Sequence, residues 1–194
     1  MEKSYKVINE EKGIGMSYIP KKPNGVAIIM REPGGDDGSL VGNNDWFIKM
    51  LDEKSQAEKN MSTYRNRFLE MVKTASNEPN KVGFNDLKDI YFANIMYNSC
   101  GSSLSENYKN LGEEEKENRI NLIIDEILKD SKKKGVDLKK VFVIKDGFDA
   151  LKKQRCSKGL EYRNGDVLEM FKDDKGIEIY AIYSPLNKPS ISLD

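Results

Sequence analysis

The chain has 194 residues, 38% apolar and 33% charged, with 32 basic and 32 acidic side chains and no histidine. That length and balance suit one globular domain with a heavily solvated surface, and the even charge leaves any nucleic-acid affinity to a local basic face. Without histidine, these residues cannot provide imidazole acid–base catalysis, Ser–His or Cys–His nucleophile pairs, or histidine metal ligands; catalysis falls to carboxylates, amides, hydroxyls, Lys or Arg.

In chain order, residues 1–24 mix charge, glycine and tyrosine and predict an arm or edge strand. Lys21–Gly25 is a turn signal. It leads into Val26–Met30, an apolar, β-branched run that reads as a strand covered on both faces. Arg31–Gly42 is then a loop punctuated by Gly34, Gly35, Gly38 and Gly42, and Asn43–Asp45 offers N-cap residues for a short helix burying Trp46, Phe47, Met50 and Leu51. Helical spacing of Met61, Tyr64, Phe68, Met71 and Val72 predicts a helix from about Gln56 to Lys73. Asp89–Met96 reads as a second core strand and Asn98–Ser105 as a polar loop.

Glu113–Lys134 has the clearest helical stripe, Ile120, Ile123, Ile124, Ile127 and Leu128, with acidic residues at its start and lysines at its end to match the helix dipole. Val141–Ile144 predicts a third strand, Gly147–Lys153 a short helix, Ile177–Tyr183 a last strand and Ser184–Ser190 a loop. Strands alternating with helices imply a three-layer α/β/α fold with a mostly parallel central sheet of about four strands, in one domain over 25–194 preceded by the arm. Ligands in such sheets bind at the carboxyl ends of strands: Arg31–Gly42, Asn94–Ser103, Lys145–Gly147 and Ser184–Asn187.

Cys100 and Cys156 are too few for a disulfide framework or a four-cysteine cluster and read as free thiols. No run approaches the ~20 apolar residues of a membrane helix, and Met1–Tyr5 lacks the apolar core of a signal peptide. A cytoplasmic monomer with no membrane association is the expectation.

Glu32-Pro33-Gly34-Gly35-Asp36-Asp37-Gly38-Ser39-Leu40-Val41-Gly42, set directly after a strand, resembles the first motif of the uracil-DNA glycosylase superfamily. The family has a polar residue before Pro, and often an acidic, glycine-containing segment ending in Phe-Val-Gly. Ile90–Asn94 is similar to its strand ending in Thr-Asn, Val141–Ile144 with Gly147 to its Leu-Gly strand and helix, and Tyr183-Ser184-Pro185-Leu186-Asn187 stands where the family carries His-Pro-Ser. The four motifs, in order, cover roughly residues 25–190.

The resemblance implies base excision from DNA, single- or double-stranded, without metal or cofactor. Glu32 takes the place of the water-activating residue, where a carboxylate can also stabilise the sugar cation; Asp36 and Ser184 complete the implied catalytic set. Asn94 would read the base edge, since a carboxamide offers both donor and acceptor, with Leu40, Tyr91 and Asn187 lining the base. Phosphate contacts would come from the backbone at Gly34 and Gly35 and from Lys152, Lys153, Arg155 and Lys188. The chain departs from the family in having Ser184, or an alignment on Lys188-Pro189-Ser190, in place of the histidine, and Leu40 in place of the stacking Phe. It also lacks the four cysteines of one branch, and together these departures point towards a modified base or a binding-only relative.

Plainer readings stand beside these. Glu32, Asp36 and Asp37 can be solvated loop carboxylates, Asn94 a turn-forming amide and Ser184-Pro185 the start of a turn. Two other function classes fit the same residues. One is a metal-dependent phosphoester hydrolase, in which Glu32, Asp36, Asp37 and Asp45 would gather Mg²⁺. The other is a non-catalytic binder of nucleic acid or protein.

Overall fold

The runs Val26–Met30 (β3), Tyr91–Asn94 (β4), Lys140–Ile144 (β5) and Glu178–Ile182 (β8) form the parallel centre of one sheet, in the order β4-β3-β5-β8. The computed structural model describes residues 5–31, 47, 51, 59–74, 76–96, 106–155, 161–162 and 169–182. Within them the helices are Lys59–Thr74 (α1), Glu106–Lys109 (α2), Glu113–Lys133 (α3) and Lys145–Arg155 (α4). The helix expected from Gln56 therefore runs over Lys59–Thr74 among the described residues, and its Phe68, Met71 and Val72 are buried as the spacing requires.

Two expectations about the sheet are corrected. Among the described residues it has eight strands rather than about four, and it is mixed rather than mostly parallel. Lys6–Asn9 (β1) and Ile14–Tyr18 (β2) form an antiparallel hairpin, and β2 pairs antiparallel with β4. At the other edge, Glu161–Tyr162 (β6) and Glu169–Lys172 (β7) pair antiparallel, and β7 joins β8. Short local connections make antiparallel ribbons cheap to add at an edge, whereas each parallel pairing needs a helical crossover. The arm is thus a hairpin, and its inner strand is closed to water at Ile14, Met16 and Ser17.

Pleating sorts the central strands into two apolar clusters. Ala27, Ile29, Val141, Val143, Ile179 and Ala181 pack with Ile120, Ile123, Ile124 and Ile127 of α3 and Phe148 and Leu151 of α4. Ile28, Phe92, Phe142, Tyr180 and Ile182 pack instead with Phe68, Leu69, Met71 and Val72 of α1 and with Phe47 and Leu51. Phe92 is gripped by two rings, stacked on Phe47 with centroids 4.3 Å apart and tilted against Phe68 at 5.8 Å. Glu113, Glu114 and Glu115 fill the first turn of α3, and Lys132 and Lys133 the last, which favours the helix dipole at both ends.

Candidate functional site

β3, the first parallel strand, lies between β4 and β5. α1, the helix described next after β3, packs on one face of the sheet, and α4, which follows β5 directly, packs on the other. Connections that diverge from neighbouring parallel strands open a crevice at their carboxyl ends, the usual ligand position in such sheets.

The register fixes what meets there. Met30 is the parallel partner of Asn94. One residue further on, Ile95 N–H donates to the Met30 carbonyl at 2.8 Å and Met96 N–H to the Arg31 carbonyl at 2.8 Å. Arg31, the residue before Glu32, therefore sits beside the end of the strand that carries Asn94.

Asn94 is 1% exposed, and its Nδ2 donates to Ser17 Oγ, itself closed to water, at 2.9 Å. Ser17 thus takes one of the two amide donors. Tyr91 sits at the opposite end of β4, paired with Ala27, and its hydroxyl donates to Asp130 Oδ2 at 2.8 Å. Burial, then the hydrogen bond and charge of Asp130, push the Tyr91 phenol well above its ordinary range. The structure does not bring Tyr91 to Asn94's end of the strand.

Lys152 projects from α4 to Glu169 on β7, with Nζ 3.2 Å from Oε1, while Lys145 holds Oε2 at 2.6 Å and Asp149 at 2.5 Å. Burial raises the Glu169 carboxyl, but the hydrogen bonds from Lys145 and Lys152 outweigh it and hold it below the usual value. Lys152 is therefore committed to an internal ion pair. Lys153 and Arg155 lie in the last turns of α4, with only their backbone described. Glu32, Gly34, Gly35, Asp36, Leu40, Ser184, Asn187 and Lys188 lie outside the described residues, as do Asp37 and Asp45.

The sequence reading missed a cluster at the same carboxyl ends. Arg31 Nε lies 3.3 Å from both Asp146 oxygens, and the Tyr108 hydroxyl donates to Asp146 Oδ2 at 2.8 Å. Lys116 Nζ is 3.6 Å from the same oxygen, and the Gly147 N–H donates to Oδ1 at 3.1 Å. Asp146 stands in the first turn of α4, where a carboxylate is favoured by the dipole. Burial, followed by the charge and hydrogen bond of Asp146, raises the Tyr108 phenol far beyond its ordinary range, with Arg31 opposing, so it remains a donor at neutral pH. The only sequence signal was positional: Arg31 and Asp146 each fall at a strand end.

A cavity of about 370 Å³ opens at the other end of the sheet. Val26 and Lys140, the first residues of β3 and β5, line it with Asn24, Val72 and Phe142. Its lining includes none of Met30, Arg31, Asn94 and Asp146. Among the described residues no group of three or more His, Cys, Asp or Glu gathers as a metal site, and no helix is long and apolar enough to cross a membrane. No family model, curated protein or solved structure matches this chain.

Proposed function

We propose that the chain is a base-excising N-glycosylase of DNA built on a three-layer α/β/α domain, with the target nucleotide extruded into the crevice at the carboxyl ends of β3, β4 and β5. The observation carrying this reading is the parallel register of β3 and β4. It pairs Met30 with Asn94 and sets Arg31, the residue before Glu32, beside the end of the carboxamide strand. On this reading Glu32 supplies a carboxylate and Asn94 an amide, the two functions that base excision needs. The carboxylate stabilises positive charge on the sugar and orients water, and the amide matches donor and acceptor on a base edge. Ser17 holds that amide in one orientation.

Incubation with single- and double-stranded oligonucleotides carrying uracil, deaminated purines or alkylated bases should yield alkali-cleavable abasic sites. Glu32→Gln should abolish them while the protein still melts as wild type. A panel left intact by folded protein overturns the reading. Phosphoester cleavage that stops on adding a chelator assigns the metal-dependent alternative instead.

A further inference from the structure

Arg31 from the end of β3 and Lys116 from the first turns of α3 converge on one carboxylate, Asp146. The three side chains are 27%, 16% and 31% exposed, so the group is largely withdrawn from water. Tyr108 lies beneath it, 2% exposed, with Lys116 Nζ 5.0 Å and the Arg31 guanidinium 6.0 Å from its ring centroid. Among the described residues of this cluster, two cations, one anion and a neutral phenol leave an excess of one positive charge, and the N-terminus of α4 adds field of the same sign. The neighbouring carboxylate Glu115 is occupied elsewhere, by Arg119 at 2.9 Å and Lys12 at 3.8 Å.

Asp146 does not use up the donors of either cation. Among the described residues, Arg31 meets it through Nε alone and also hydrogen-bonds Tyr108, which still leaves N–H donors of the five-donor fork unspent on these partners. At 3.6 Å, Lys116 is an ion-pair partner beyond ordinary hydrogen-bond length. A partly desolvated excess cation with spare donors is matched by an oxyanion, and the guanidinium fork fits phosphate in particular.

We propose that Arg31 and Lys116 form a phosphate-binding site at the mouth of the crevice, taking a backbone phosphate of the bound DNA, with Asp146 and Tyr108 holding both cations in place. The DNA source of the phosphate rests on the proposed function; the oxyanion chemistry does not. The site replaces Lys152, which is held by Glu169.

The test reads binding rather than base release, so failure of excision and failure of this site are separable. Anisotropy of unmodified oligonucleotides is measured over a salt series, beside thermal melts in rising inorganic phosphate. Arg31→Gln and Lys116→Gln should each weaken DNA binding roughly 3- to 10-fold and lower the salt slope by about 1. Lys116→Arg should restore binding and Lys152→Gln should leave it unchanged. Phosphate-dependent stabilisation that disappears in the Gln variants, with an unchanged DNA salt slope, supports the oxyanion site and overturns its assignment to DNA. Unchanged slope and phosphate response in folded Gln variants, or wild-type protein that binds neither probe, overturns the proposal.

Discussion

Asn94 and Ser17, 77 positions apart in sequence, share a 2.9 Å hydrogen bond where neither side chain is open to water. Ser17→Ala leaves an amide donor buried without its partner, a loss of about 1–3 kcal/mol. Urea unfolding should show that loss. The Ser17→Ala/Asn94→Ala double variant should cost less than the two single losses added, by at least about 0.5 kcal/mol. Strict additivity would mean the pair is not coupled.

Tyr91→Phe separates the base-lining role suggested by sequence from the role the structure gives this residue. The Tyr91 hydroxyl binds Asp130, which Lys134 Nζ also holds at 2.7 Å. Loss of the hydroxyl should cost about 0.5–1.5 kcal/mol in stability and leave DNA affinity unchanged. A folded variant with impaired DNA binding would return Tyr91 to the base site.

Gly25 and Gly135 both have positive φ, at 82° and 71°, but differ in their surroundings. A Cβ on Gly25 would lie 2.5 Å from the Asp137 carbonyl oxygen, while one on Gly135 would meet nothing within 4 Å. Gly135→Ala should cost about 1–2 kcal/mol, the left-handed penalty alone. Gly25→Ala should cost clearly more, because backbone must also move. Equal melting temperatures for the two variants would contradict this.

Acid stability should respond in opposite directions to two carboxyl groups. The hydrogen bond from Lys6 on β1 is the main influence holding Glu126 below its ordinary value of 4.5, against the upward push of burial. Its stabilising contribution is complete above 4.5 and is lost as pH falls through the folded value. Glu126→Gln should therefore be destabilised at pH 7 and converge on wild type in acid. Burial, with Asp86 close by and Lys22 opposing, raises Asp89 above its ordinary 3.8. The ionised form then weighs against folding, so Asp89→Asn should be more stable than wild type at pH 7, and the advantage should vanish towards pH 3.8. Denaturation midpoints at pH 7, 5 and 3.5 measure both effects, and parallel curves would refute them.

Much of the central sheet was legible because its signals are local. Val26–Met30 and Val141–Ile144 are apolar on both faces, and the stripe from Ile120 to Ile127 repeats at helical spacing; all of these residues except Val26 and Met30 are fully buried. The edges were not legible. β2 buries Gly15 and Ser17 among its apolar residues, and β6 has two residues, so neither shows a clean alternation. The corrected strand count comes from those edges. At the candidate site, the strand ends could be located from sequence, but not the partners of the side chains there: Lys152 reads as a phosphate contact until Glu169 is found against it.

Hydrophobic period, turn residues and helix-end charge act over a few positions, so the sequence alone determined which segments form the central strands and α3, and that histidine chemistry is absent. Strand order, the antiparallel edges and the meeting of Arg31 with Asp146, 115 positions away, were decided only by tertiary structure. Which strands pair, and which cation finds which carboxylate, depends on how crossovers and faces pack through space, and no local pattern of residues encodes that.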